Sequence, residues 1–562
     1  MTASTAPADR LPPPHRAINP ATGADIGEVA PTRIDAMPEI FAAARAAQRI
    51  WADYSFKQRR ECIFKIRDYL LENAETIAKV ISANNGKTLS DAMNTEVLPC
   101  VMGADWYAKK ARKILAKQWM TASNILFSNK RAYILRLPLG VVGIVSPWNY
   151  PLAIPFGEII MGLMAGNAVL FKAASETSLV GVEIEKAIAA GGLPDGLFRL
   201  IVGQGQKVTA AFFANGIDKI FFTGSVAVGK TLMRQAADNI TPLSLELGGN
   251  DAMIVLDDAN LERAVNGAIW GGFQNSGQTC AGVQRIYVHE SVADRFCALL
   301  KQRTESLRQG VDRGQFDIDV GAMTTPRQIE MVKEAVADAL AKGAKVLASA
   351  RIRQEDAAYF YPCTAFVDVD HRMKLMSEEV FGPVIGIMKF DTDEAAIALA
   401  NDSTLGLTSS IWSMDNDRAR AIAVRLETGV TTINDHVVTH GSPELPWLGW
   451  KQSGLGSTHS HLGLEEMTRV KVVHFDIAPQ LNANLWWFPV RKIKYELLLD
   501  TVNILFGKTL QARSKAIRRV MPKLLRDPLL REKLSYLIGR IKKRGENGLA
   551  LVFRKFRGDK DE

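Results

Sequence analysis

Between Val141 and Leu256 short β-branched or aromatic runs (VVGIVS, AVLFKA, LFRLIV, KIFFTG, AMIVL) alternate with helical segments near 155–165, 177–190 and 227–239. Strands that recur across intervening helices must run parallel, so this alternation predicts an α/β fold built on a doubly wound, Rossmann-like parallel sheet. Ligands of such sheets bind beyond the carboxyl ends of the strands. Three strand-to-helix loops are therefore candidate binding loops: SPWNYP after VVGIV, KAASE after AVLF and TGSVAVGK after KIFF.

A second alternation follows over 257–450, with helices expected near 260–273, 291–308 and 326–341, a strand at RIYV, and FGPVIGIMKF leading into the helix DEAAIALAN. It predicts a second α/β domain. Upstream, residues 36–117 place apolar and charged positions at helical spacing, as in PEIFAAARAAQRIW. A strand or ribbon is expected over 122–137 and a strand over TRVKVVHFD, 468–476. The expected organisation is a disordered leader (1–16), a dinucleotide-binding domain (17–121 and 138–247), a catalytic domain (248–450), bridging or oligomerisation strands (122–137 and 465–478) and a basic amphipathic helical extension (479–562).

Charge separates the extension from the body. Residues 480–562 hold 20 Lys and Arg against 8 Asp and Glu, leaving 49 against 52 for the rest of the chain. A slightly acidic body argues against nucleic acid as a partner, and a basic tail suggests a module that meets an anionic surface. Within it, NLWWFPVRKIKYELLLDTVNILFGKTLQ pairs tryptophans with apolar positions interrupted by Lys494, Glu496 and Asp500. No run reaches the roughly 18–20 apolar residues that span a bilayer. The pattern fits a segment lying on a membrane surface, or equally one that packs on protein.

The N-terminal stretch lacks the apolar core of a signal peptide, and the five cysteines are scattered without a Cys-x-x-Cys spacing. A reducing, cytoplasmic setting is expected, with the protein soluble or peripheral on the inner face of a membrane; no metal site is expected. Cys280 stands apart within QNSGQTCAGV, where small neighbours leave a thiol reachable, although a free cysteine is more often a small buried hydrophobe.

Three further motifs carry chemistry. Gly224-x-x-x-x-Gly229-Lys230-Thr231 matches a phosphate loop, and AMIVLD, ending at Asp257, supplies the apolar run and aspartate of a P-loop NTPase. A dinucleotide pyrophosphate would suit such a glycine turn as well. Glu246 ends an apolar strand ahead of two glycines, as a solvated strand end or as a general base raised by burial. Asn149, between Trp148 and Tyr150 and flanked by Pro147 and Pro151, is a turn asparagine or a rigid oxyanion donor.

PWNYP, FKAAS, FTGS, LELGGN, GQTC, EEVFGP and SGLG occur in the order and approximate spacing of the NAD(P)-dependent aldehyde dehydrogenase superfamily, which the chain resembles over roughly residues 17–476. The resemblance implies that Cys280 forms a thiohemiacetal and then a thioester, that Asn149 and the Cys280 N–H hold the oxyanion, and that Glu246 activates water. It also implies NAD or NADP bound by Trp148, Lys172, Ser175, Gly224, Ser225, Glu379 and Phe381, an aldehyde substrate, and a homodimer or homotetramer. Many NAD-preferring relatives carry glutamate where this chain has Ser175, with Glu176 one place later, so NAD against NADP stays open. The helix after Asn149 contains no basic residue, which favours an uncharged aldehyde over an acidic semialdehyde. Trp447, Leu448 and Trp450 replace smaller family residues, as core packing or as the wall of a site for long-chain or aromatic aldehydes.

Overall fold

The computed structural model describes residues 14–123, 127, 129–353, 359–484, 486–526, 528, 531–532 and 535–536. Most of the expected leader lies outside these residues, as does the chain beyond 536. The end of that leader is not irregular: His15–Ile18 is a strand paired antiparallel with Asp25–Val29. The chain divides into two compact units, one comprising Leu135–Lys471 with the chain up to Lys117, the other Gln118–Ile134 with the chain from Val472.

The first unit contains both α/β sheets. In the first, strand order is Gly454–Leu455, Leu243–Glu246, Lys219–Thr223, Val141–Val145, Ala168–Lys172, Phe198–Ile201. All pairings are parallel except that of the short edge strand Gly454–Leu455. Every residue of Val141–Val145 and Ala168–Lys172 is buried, as expected of strands covered by helices on both faces. Strand order reverses between Val141–Val145 and Lys219–Thr223, so a crevice opens where the loops at Ser146 and Gly224 leave the sheet.

The second sheet has seven strands: Lys345–Ser349, Thr364–Val367, Val384–Phe390, Val283–His289, Asp251–Val255, Thr408–Trp412, Val430–Ile433. The strand Asp251–Val255 shows the period of two directly. Ala252 and Ile254 enter one apolar core and Met253 and Val255 the other, on opposite faces of the sheet. AMIVL, which continues the first alternation in the sequence, thus belongs to the second sheet. Strand periodicity carries no information about which sheet a strand joins.

Where one ribbon is expected over 122–137, the described residues form two strands, Gln118–Met120 ahead of that range and Lys130–Pro138 ending one residue beyond it, in a sheet completed by Thr468–Asp476. Beyond it, Lys492–Phe506 and Leu510–Arg526 form a helical hairpin. Buried Asp500 ties the two helices by accepting from Lys523 (2.9 Å) and pairing with Arg519 (3.1 Å).

Candidate active site

The cysteine is delivered by a constrained loop. Helix Leu261–Phe273 ends at Gln274, and Asn275, Ser276 and Gly277 then adopt φ of 52°, 54° and 69°. Left-handed backbone at two non-glycine residues costs energy and persists only where surroundings over-determine it. Here Asp91 accepts from Gln274 Nε2 and the Asn275 N–H (both 2.9 Å), and Ser276 Oγ donates to the Gly321 carbonyl (2.8 Å). The Tyr150 hydroxyl donates to Gln274 Oε1 (2.8 Å) and meets Thr279 Oγ1 (2.6 Å). Gly277 is required, since a Cβ there would lie 2.2 Å from the Gly382 oxygen.

Asn149 belongs to the same network. It is buried, and its Nδ2 donates to the Gln278 carbonyl at 3.0 Å, two residues before Cys280. An amide nitrogen has two protons, so one remains for another acceptor. The Asn149 carbonyl accepts from Lys87 Nζ and Asn275 Nδ2, both at 2.9 Å. Lys87 in turn donates to Glu96 at 2.7 Å, with both side chains fully buried. The other Glu96 oxygen caps the following helix, Ala153–Ala165, by accepting from the Leu152 and Ala153 N–H groups (2.7 and 3.2 Å). The loop that carries Trp148 and Asn149 is thus held by a buried ion pair with no counterpart in any local sequence pattern.

Cys280 stands between two cavities. One, of about 400 Å³, reaches it past Leu98, Met102, Trp270, Val437 and Trp447 and is lined by no lysine or arginine. The other, of about 20 Å³, is shared with Glu246, Glu158, His440, His459 and Trp447. Burial, followed by the carboxylates of Glu379, Asp251 and Glu246, pushes the Cys280 thiol well above the usual range, so the sulfur needs a base to become a nucleophile. Glu246 is itself held well above the ordinary carboxylate range by burial and then by Glu158, with the neighbouring Trp447 indole acting in the opposite sense. Burial raises Glu158 to about 8. Of the three replacements in the C-terminal loop, only Trp447 lines these cavities, and Trp450 is exposed.

The remaining expected site residues lie at the carboxyl ends of the first sheet or beside the cysteine loop. Ser225 caps helix Val226–Ala237 by accepting from the Val228 N–H, and the Gly224 N–H donates to the Glu246 carbonyl at 3.0 Å. Lys172 ends its strand with a buried ammonium, lowered by burial and partly restored by Glu176. Ser175 opens the short helix Ser175–Thr177, and Glu176 beside it is exposed. Trp148 and Phe381 meet edge to face at 5.6 Å. Glu379, raised by burial to about 7, accepts from the Gly249 N–H at 3.2 Å. A helix N-terminus at the reversal of strand order, a buried ammonium, two aromatic faces and a buried carboxylate suit a dinucleotide's pyrophosphate, riboses and nicotinamide.

The phosphate-loop alternative is overturned. In a phosphate loop the residues between the glycines wrap an anion and the helix opens at the lysine. Here the helix starts at Val226, the Gly229 N–H bonds the Ser225 carbonyl at 3.0 Å, and Lys230 donates to Gln452 at 2.6 Å. Asp257 follows a strand of the other sheet and pairs with Arg418 at 2.6 Å.

Sequence reasoning missed Glu158, Lys87, Glu96, Asp91, His440 and His459. Glu158 alone leaves a local signal, as the one charge in the otherwise apolar helix AIPFGEIIMGLMA.

Two α/β sheets within one compact unit, a crevice at the reversal of strand order and a cysteine beside it define a dinucleotide-dependent oxidoreductase. Comparison with known proteins gives the family. The aldehyde dehydrogenase family model matches residues 9–473, and the chain belongs to that family of NAD(P)-dependent enzymes. It is 35% identical over 492 residues to 4,4'-diapolycopene aldehyde oxidase of Methylomonas sp, covering 88% of this chain and 91% of the relative. It is 34% identical over 472 residues to a putative succinate-semialdehyde dehydrogenase [NADP(+)] of Mycolicibacterium smegmatis, covering 83% and 90%. Among solved structures, the NAD+ complex of an aldehyde dehydrogenase from Bacillus cereus superposes with TM-score 0.78 at 30% identity, covering 83% of this chain and 94% of that one.

Proposed function

We propose that this aldehyde dehydrogenase oxidises an uncharged long-chain or aromatic aldehyde to its carboxylic acid through Cys280. The observation that carries the reading is Cys280 at the junction of a large cavity lined by no lysine or arginine and a small one shared with Glu246. Glu246 removes the thiol proton, and the sulfur adds to the aldehyde carbon to form a thiohemiacetal. The free proton of the Asn149 amide and the Cys280 N–H hold the resulting oxyanion. NAD(P)+, when bound by Trp148, Lys172, Ser175, Gly224, Ser225, Glu379 and Phe381, supplies the hydride acceptor. Glu246 then releases the thiol proton to solvent, and as a carboxylate it activates the water that hydrolyses the thioester left on Cys280.

Of the substrates carried by the relatives' names, the lining supports a diapolycopene-type aldehyde over a succinate semialdehyde, whose carboxylate would find no cation among Leu98, Met102, Trp270, Val437 and Trp447. Ser175 offers a hydroxyl where a carboxylate would repel a 2′-phosphate, which supports NADP as well as NAD. The test is NAD and NADP reduction over acetaldehyde, hexadecanal, benzaldehyde and succinate semialdehyde, with Cys280→Ala as control. Reduction is expected with hexadecanal or benzaldehyde and is to be lost in the control; succinate semialdehyde as the preferred substrate would overturn the specificity, and no reduction with any aldehyde would overturn the activity.

The reading extends to the C-terminal hairpin. Tyr495, Leu499, Val502 and Phe506 lie three or four residues apart along one helix and are 65%, 50%, 56% and 71% exposed; Trp487, Phe488 and Val490 precede them, also exposed. Lys492, Lys508, Arg513, Lys515 and Arg518 are exposed on the same hairpin. An apolar stripe bordered by cations fits the interface of an anionic bilayer, while no described helix is long and apolar enough to cross one. The reading is of a cytoplasmic protein held peripherally on the inner face of a membrane, and five unbridged cysteines agree with a reducing compartment. The full chain is expected to sediment with phosphatidylglycerol vesicles and to lose most of that binding in Phe488→Glu/Phe506→Glu; equal sedimentation refutes it. Exposed Val470 and Val472 on Thr468–Asp476 support a homodimer or homotetramer, which light scattering would distinguish from a monomer.

A further inference from the structure

Glu158 is a charge that the mechanism above does not use. It lies in the apolar helix Ala153–Ala165, 3% exposed, and its Oε2 has no hydrogen-bond partner in the protein. Glu246 shows the same condition, 6% exposed with its own Oε2 unpartnered. Both line the cavity of about 20 Å³ that Cys280 also lines, and no lysine or arginine does. A cavity of that size holds about one water, which needs two or more polar partners to be seated. The two carboxyls provide them beside the sulfur.

We propose that Glu158 is a positioning residue for the hydrolytic half of the reaction, sharing with Glu246 the proton released by the water that attacks the Cys280 thioester. This rests on the function proposed above. The balance is simple. Water forms a C–O bond with the thioester carbon while its O–H bond breaks toward Glu246; the C–S bond then breaks, releasing the acid and the Cys280 thiolate. The proton, held between Glu246 and Glu158, passes to that thiolate and restores the thiol.

Two carboxylates bordering one small cavity oppose each other's ionisation, which agrees with Glu158 raising Glu246 and with burial raising Glu158 to about 8. The other titratable groups on the cavity wall are Cys280, His440 and His459, and burial lowers both histidines, to about 4 and about 3, so they stand neutral beside the pair. On elements packed against the helix, Cys100 and Tyr107 are raised by burial and stay protonated. Arg59 bonds backbone carbonyls, Glu96 pairs with Lys87, Glu465 with Arg136 and Glu466 with Lys219. Glu246 is therefore the group against which Glu158 acts.

The test is the pH profile of kcat for the full-length enzyme with benzaldehyde and hexadecanal. Activity falls as Glu246 becomes protonated, so replacing Glu158 by a neutral residue of the same size moves the acid limb to lower pH. Glu158→Gln is expected to shift it by at least one pH unit, and Glu158→Asp, which keeps the carboxyl, by less. A folded Glu158→Gln enzyme whose limb coincides with that of the wild type overturns the proposal. Should that variant not fold, infrared titration of protonated carboxyl bands in wild-type and Glu246→Gln enzymes decides. Loss of the Glu246 band is expected to move a second band to lower pH, and no movement of the remaining bands overturns the sharing. A wild type inactive on every aldehyde would instead sink the underlying function, whereas an active wild type with unmoved limbs sinks only the role of Glu158.

Discussion

Replacing Lys87 by methionine removes one partner of a fully buried ion pair, and its cost can be worked from the contacts. At 2.7 Å and an effective dielectric of about 20, the attraction to Glu96 is about 6 kcal/mol. Glu96 would keep its bonds from the Leu152 and Ala153 N–H groups, which offset part of the loss. A net destabilisation of about 3–5 kcal/mol is expected, the range for an uncompensated buried charge. Lys87→Met/Glu96→Gln removes the stranded charge while an amide oxygen still faces those N–H groups, so the double variant should regain at least half of the loss. Urea unfolding followed by circular dichroism and by tryptophan fluorescence measures both quantities. Because Lys87 also donates to the Asn149 carbonyl, kcat should fall in the single variant by about tenfold, equivalent to about 1.4 kcal/mol at the oxyanion. A loss below about 1 kcal/mol for Lys87→Met, or a double variant no better than the single, would refute the reasoning.

Cys280→Ala should abolish aldehyde oxidation while leaving the melting temperature and dinucleotide affinity of the wild type, read by calorimetry; turnover in that variant would remove Cys280 from the mechanism. Gly277→Ala places a Cβ 2.2 Å from the Gly382 oxygen at a φ of 69° and should cost at least about 2 kcal/mol and most of the activity, seen in paired melting and rate measurements. His436 and His440 have folded-state values lowered by burial to about 4, below their unfolded value near 6.5. The unfolded chain binds more protons between these limits, so their contribution to stability is present above about pH 6.5 and is lost as pH falls toward 4. Urea midpoints measured from pH 7 to 4 should drop, and the drop should shrink in His440→Gln.

Much of the fold can be read locally because parallel sheets bury whole strands. Val141–Val145 and Ala168–Lys172 stand out as continuous apolar runs, and the helices Pro326–Ala341 and Asp393–Asn401 show their period and caps within a few residues. Allegiance of a strand to a sheet is set by long-range pairing, which is why AMIVL joins the second sheet although it continues the first alternation. The phosphate-loop pattern failed for a related reason. Its letters do not say where the helix begins, and with Ser225 as cap it starts at Val226, three residues before Gly229.

From the sequence alone came the α/β class, the candidate chemistry of Cys280, Glu246 and Asn149, and the separation of a basic tail from an acidic body, because composition, period and short motifs are local. Tertiary structure decided the surroundings that tune that chemistry. It joined Lys87 and Glu96 beneath the Asn149 loop, brought Asp91 to the strained approach to the cysteine, and set Glu158 against Glu246. Burial and proximity between residues from nine to more than a hundred positions apart are properties of packing, and no motif of the chain carries them by itself.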